Sequence, residues 1–155
     1  MKHAALPVFV ILLITLGLNP VTGEFRSDQY IGSKACKNCH IQQYENFRQY
    51  SSKYRSDQNV QLMHDKLTPQ EQRECYGCHT TGYGQPGGFV SFKETPEMGH
   101  AGCEVCHGPG AGHALTGDPQ LISGNLSVEE HCAPCHEDER VRQINYKPLL
   151  HSGAH

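Results

Sequence analysis

Eight cysteines fall into four pairs: Cys36 and Cys39, Cys75 and Cys78, Cys103 and Cys106, Cys132 and Cys135. Every pair reads C-x-x-C, and each second cysteine is followed at once by a histidine, at His40, His79, His107 and His136. In this order the two thiols can add to the vinyl groups of one haem while the adjacent imidazole binds the iron from the same side, so each motif fixes one porphyrin covalently. Two other chemistries use C-x-x-C. A zinc ribbon takes four thiolates and gives no reason for a histidine after each pair. A thioredoxin-type redox pair belongs to a βαβ context that four copies in this chain lack. With 11 histidines in 155 positions, four such placements arise by chance on the order of once in 40,000. The pattern implies four covalently attached haem groups (heme c).

The ligand on the far side of each iron decides what the iron does. Histidine there gives a low-potential electron carrier, methionine raises the potential, and an open position admits small molecules. Beyond the motif histidines and His3, the chain offers His64, His100, His113, His131, His151 and His155 for four positions. His113 in its glycine-rich loop, His100 just before the third motif, and His64 are the favoured candidates. His151 and His155 compete for one position near the C-terminus. His131 is constrained by its neighbour Cys132 and can turn toward an adjacent haem. Met63 and Met98 are weaker alternatives. In an ordinary protein each of these histidines would read as an exposed, partly protonated side chain. The density of haem motifs changes that reading.

The elements that must position these groups are short. Ser33 precedes the first motif, Thr68-Pro69-Gln70-Glu71 the second, and Ser127-Val128-Glu129-Glu130 the fourth. The last two have the form of a capping box, with Thr or Ser at the N-cap and Glu three residues on. The spacing predicts a long helix from Lys34 to about Tyr50, with Cys36, Cys39 and His40 continued by Tyr44 and Phe47 on one face. A short strand is expected over Phe89–Phe92. Glycine- and proline-rich stretches at 82–88 and 108–112 read as loops passing close to a bulky group. Successive motifs lie 39, 28 and 29 residues apart, too irregular for a solenoid.

Hydrophobic residues are only 37% of the chain, and several lie in an N-terminal export segment, so the rest is poorly supplied for an apolar core. That segment has Lys2 and His3, an apolar run over Leu6–Leu18, and small residues at Val21-Thr22-Gly23. It reads as a signal peptide, residues 1–23, cleaved before Glu24, because the run is shorter than the roughly 20 residues that span a bilayer. No cysteine follows it to carry a lipid anchor. Residues 24–155 form one domain by length. The net charge is −3, with 13 Lys and Arg scattered along the chain, which excludes the basic face of a nucleic-acid binder. Propionates would make the loaded protein more acidic still. The expected fold is mainly α with extensive irregular loops, the haems forming the core.

Several stretches together resemble the tetrahaem cytochrome c-554 family, whose best-known member accepts electrons from hydroxylamine oxidoreductase in ammonia-oxidising bacteria. They are Tyr30-Ile31-Gly32-Ser33; the run from Cys75 through His79 to Thr80-Thr81-Gly82-Tyr83-Gly84 and Pro86-Gly87-Gly88-Phe89; and Gly102 through His107 to Gly108-Pro109-Gly110, ending in His113. The resemblance covers most of 30–136. It implies that His113 binds the first haem from the far side and that a C-terminal histidine serves the fourth. Family members tend to carry a histidine in Ser-Lys-His-Ala-Arg-Ser-like text where this chain has Ser52-Lys53-Tyr54-Arg55-Ser56. Tyr54 then leaves that iron open, ligates it, or stands aside for His64 or His100.

The reading that follows is a multihaem c-type cytochrome in the periplasm or at the cell surface, passing electrons between a donor and an acceptor redox protein, with no membrane anchor once the signal is removed. Two alternatives stand beside it. One is a haem enzyme acting on nitric oxide or hydroxylamine at a five-coordinate iron, a property the resemblance implies. The other is self-association into a filament through a spare His151 or His155. Replacing one motif cysteine, Cys75→Ala, is expected to weaken the covalent retention of one haem, and intact mass spectrometry checks the number that remain attached.

Overall fold

The structure, a computed structural model, describes residues 26–124 and 127–136. The signal peptide 1–23, the cleavage point before Glu24, His151 and His155 lie outside the described residues. The described chain is mainly α with loops. Its helices are α1 (Ser33–Cys36), α2 (Ile41–Tyr50), α3 (Ser56–Met63), α4 (Pro69–His79), α5 (Cys103–His107), α6 (Ala111–Thr116) and α7 (Val128–His136), joined by loops and 3-10 turns.

Local chemistry explains where the motif helices begin. At α4 the Thr68 hydroxyl accepts from Glu71 N at 3.4 Å, the Glu71 carboxylate accepts from Thr68 N at 2.8 Å, and Pro69 opens the helix. That is the expected capping box, two orphan donors satisfied reciprocally. At α7 the Ser127 hydroxyl accepts from Glu130 N at 3.3 Å. Both helices carry their C-x-x-C-H residues in the final turns, and α5 consists of the third motif alone. Gly108, at φ 81°, ends α5 in a conformation that L side chains avoid and turns the chain toward α6.

Two expectations are corrected. The helix over Lys34–Tyr50 is two helices, α1 and α2, separated by a turn at 37–39. The Cys36 carbonyl accepts from both Cys39 N and His40 N, and His40 at φ −116°, ψ 53° is non-helical, so α2 starts afresh from the His40 carbonyl. The face that was to join Cys36 and Cys39 to Tyr44 and Phe47 is therefore interrupted. The strand over Phe89–Phe92 is absent. Phe89 N donates to Thr81 O, Val90 N donates to the Thr95 hydroxyl, and Thr95 N returns to Ser91 O. These donors are spent on turns, leaving no ladder to pair. The loop glycines are used partly against the chain itself: a Cβ at Gly82 would come within 2.7 Å of the Tyr30 ring.

Among the described residues the buried apolar side chains are Phe47, Val60, Phe89, Met98, Ala101 and Ala111. Buried Ser33, Thr80, Thr81 and Glu104 share the interior, and hydrogen bonds fasten what the apolar contacts do not. Thr81 donates to Met98 O through its backbone at 2.8 Å and to His100 O through its hydroxyl at 2.7 Å, and that hydroxyl accepts from Gly102 N at 2.9 Å. The Ser33 hydroxyl accepts from Cys103 N at 2.9 Å, tying the first motif helix to the third. Phe89 packs edge-on against Tyr76 and Phe92, with ring centres 5.0 and 4.9 Å apart, a geometry that favours aromatic contact.

Thr68→Ala removes the N-cap of α4 without touching a motif residue. It is expected to cost about 1 kcal/mol and to lower Tm by roughly 4–8 °C for a domain near 100 residues, as read by thermal melting of the helical circular dichroism.

Candidate functional site

Four imidazoles are held by backbone carbonyls. His79 Nδ1 pairs with Ser56 O at 3.0 Å, His107 Nδ1 with Ser123 O at 2.7 Å, His113 Nδ1 with Asp118 O at 2.9 Å, and His131 Nδ1 with Ser127 O at 3.0 Å. A carbonyl can only accept, so each Nδ1 carries a hydrogen and Nε2 is the ring nitrogen turned the other way. This is the arrangement that orients a metal-binding imidazole and fixes its tautomer. Ser56 holds His79 twice over, since its hydroxyl also donates to His79 O at 2.8 Å and accepts from Ala101 N at 2.8 Å.

His40 and His113 are brought together. Their ring centres are 6.0 Å apart with planes 22° from parallel. An imidazole nitrogen binds a first-row metal at about 2.0 Å and its ring centre lies roughly 1 Å behind, so two rings on opposite sides of one metal have centres about 6 Å apart. The pair fits an iron held between them.

His100 is the second fit. Its Nε2 is buried without a hydrogen-bond partner, and burial lowers its pKa, outweighing the opposing influence of Asp57, which favours the neutral form that binds metal. Its ring lies 4.9 Å from that of Tyr54 and 6.3 Å from that of Phe47. Tyr54, where the family resemblance leads one to expect histidine, shares a hydrogen bond with Tyr44. It stands beside His100 with its hydroxyl already engaged. His136 also has a buried Nδ1 without a partner, and burial followed by the nearby Lys53 charge lowers its pKa. His64 sits in a 3-10 turn near Asp65 at 3.3 Å, apart from the other motifs' imidazoles in the contacts described. His151 and His155 lie outside the described residues.

The cysteines of different motifs meet. The Cys36 and Cys103 thiols share a hydrogen bond, which pushes Cys36 up and holds Cys103 down at about 6. Cys135 is pushed up to about 12 by burial and by Cys78, its hydrogen-bond partner. Cys106 feels the charge of Cys132. Attachment points of the first and third motifs, and of the fourth and second, therefore adjoin, and the fourth lies near enough to the third for Cys132 to influence Cys106. None of the eight is joined in a disulfide. Among the described residues no three His, Cys, Asp or Glu side chains gather as a bare metal ion would require.

The sequence did not single out Glu104, Ser56, Thr81 or Lys53. The carbonyls that orient the imidazoles have no sequence signal, because any residue supplies one. Glu104 had a weak signal, a charged residue between two motif cysteines.

Residues 35–108 match the family model described as Cytochrome c554 and c-prime. The chain is also similar to cytochrome c-554 of Nitrosomonas europaea, 29% identical over 151 residues, covering 79% of this chain and 61% of that protein. No solved structure gives a significant match. The family-model match takes in the first three motifs and stops at Gly108, short of His113 and of the fourth motif.

His113→Ala in the haem-loaded protein is expected to turn one low-spin ferric haem high-spin without changing the number of haems attached. Electron paramagnetic resonance reads the change, and added imidazole is expected to reverse it.

Proposed function

Since the chain belongs to the cytochrome c-554 family, we propose that it is an exported electron carrier holding four covalent haems, working in the periplasm or at the cell surface between a donor and an acceptor redox protein. A c-type haem takes up and releases one electron at a time at its iron. The chain's residues supply attachment, ligation and spacing. Cys36 and Cys39, Cys75 and Cys78, Cys103 and Cys106, and Cys132 and Cys135 attach the groups. His40, His79, His107 and His136 would bind iron beside their own motif cysteines. His113 would pair with His40, His100 and His131 would serve two further irons, and His64, His151 or His155 would serve the last.

The observation that carries this reading is the contact between motifs. Cys36 with Cys103, Cys78 with Cys135, and Cys106 within the electrostatic reach of Cys132 support closely spaced attachment sites, which is what electron passage through a small protein needs. Imidazoles fixed through Nδ1 support six-coordinate irons, which conduct without binding substrate.

Catalysis at an open iron has less behind it. Tyr54, the polar group it would employ, packs on His100 and bonds Tyr44. The filament reading rests on His151 and His155, outside the described residues.

The test combines two measurements on protein exported by its own leader. Intact mass is expected to show four haems on a chain beginning at Glu24, and the oxidised protein is expected to give only low-spin ferric signals. A high-spin ferric site that binds carbon monoxide after reduction would instead favour the enzyme, and fewer than four haems would refute the tetrahaem assignment.

A further inference from the structure

Glu104 is 1% exposed, and electron carriage as described above gives it no part. It lies between Cys103 and Cys106, yet its carboxylate faces away into three backbone N–H groups. Oε1 accepts from Gly110 N at 2.7 Å and from Ile31 N at 3.0 Å, and Oε2 accepts from Gly32 N at 2.7 Å. A buried carboxylate is tolerated only when so paired, and charge-assisted bonds of this kind are among the stronger ones a chain makes.

The three donors come from two segments. Ile31 and Gly32 lead directly into α1 and the first motif; Gly110 leads directly into α6 and His113. Two more bonds extend the same seam, from Ala111 N to Gln29 O and from Gly112 N to Ser27 O, both at 3.2 Å. A Cβ at Gly112 would lie 3.1 Å from the Ser27 side chain, so the two segments are already in close contact. Glu104 thus sits at the junction that sets α6 against the entry to α1, and with it the 6.0 Å separation of His40 and His113.

We propose that Glu104 is a positioning residue for the first haem: its carboxylate, anchored in the third motif, holds the loop at Gly110 so that His113 faces His40 across the iron. This rests on the haem reading above. An amide of the same shape would direct an NH2 group at N–H donors, so the site requires an acceptor on both oxygens. The third motif then controls the far-side ligand of the first, across 73 residues from Glu104 to Ile31.

Glu104→Gln in the haem-loaded protein tests this, with His113→Ala as the benchmark. The expected result is a high-spin ferric signal from the haem that His113→Ala affects, about one of the four motif sites, suppressed by added imidazole, with four haems by mass and unchanged helical circular dichroism. A fully low-spin Glu104→Gln protein beside a high-spin His113→Ala protein overturns the proposal and leaves the haem reading intact. A low-spin His113→Ala protein removes His113 as a ligand, and the proposal with it. If Glu104→Gln does not retain four haems, Glu104→Asp is read in its place: it keeps the charge but is too short for all three donors, and the same single high-spin site is expected. Failure of both variants to hold four haems would show a role in the whole fold and overturn the assignment to one ligand.

Discussion

Six apolar side chains buried among the described residues are too few to offset the conformational entropy of ordering a chain of this length. Everything else in the architecture answers that shortage. Large apolar side chains such as Ile41, Leu62, Val90 and Leu115 remain exposed, on helices and loops that bury no matching face against one another. The interior that does exist is stitched by hydroxyls and one carboxylate. Ser33, Thr81 and Glu104 each take a backbone N–H from a segment distant in sequence. The hydroxyl bonds define position well but contribute little net stability each, while those to the Glu104 carboxylate are charge-assisted and stronger. Groups bound at eight thiols would supply the missing apolar volume, so attachment and folding are one problem for this chain.

How much of this could be read beforehand depends on whether the controlling interaction is local. The caps of α4 and α7 were visible because Thr68 with Glu71, and Ser127 with Glu130, are three residues apart. The C-x-x-C-H residues were visible because their chemistry fixes their order. The long helix over 34–50 was misread because periodicity sees the apolar stripe of Tyr44 and Phe47 but not the demand placed on the Cys36 carbonyl by two N–H groups. The strand at 89–92 was misread because alternation cannot tell whether a partner exists; here Thr81 and Thr95 absorb the donors instead. Glu104 escaped notice because its three partners lie 6, 72 and 73 residues away.

The departure at Tyr54 shows how structure narrows an ambiguity that text leaves open. A phenol in place of an imidazole leaves an iron open, ligates it, or yields to another ligand. The hydrogen bond with Tyr44 engages the hydroxyl, and the ring at 4.9 Å from His100 gives that histidine an aromatic wall. A histidine whose Nε2 is buried and unpartnered is costly unless something binds it. That cost is what favours His100 over His64, in its 3-10 turn beside Asp65, for the proposed ligand role.

If His79, His107 and His113 ligate iron as proposed, the acceptors that hold them bear on redox behaviour as well as geometry. His79, His107 and His113 each give the Nδ1 hydrogen to a neutral carbonyl, from Ser56, Ser123 and Asp118. A carboxylate in that position would make the imidazole more anionic and stabilise the ferric state further; a carbonyl orients the ring with a smaller electronic push. The chain uses its buried carboxylate, Glu104, on backbone N–H groups instead, where it fixes a loop without bonding directly to a ligand ring. Because His79, His107 and His113 take their carbonyls from residues 23, 16 and 5 positions away, loosening a connecting segment would alter a ligand before it altered a helix. The loops of this fold are therefore where its electron-transfer properties are set.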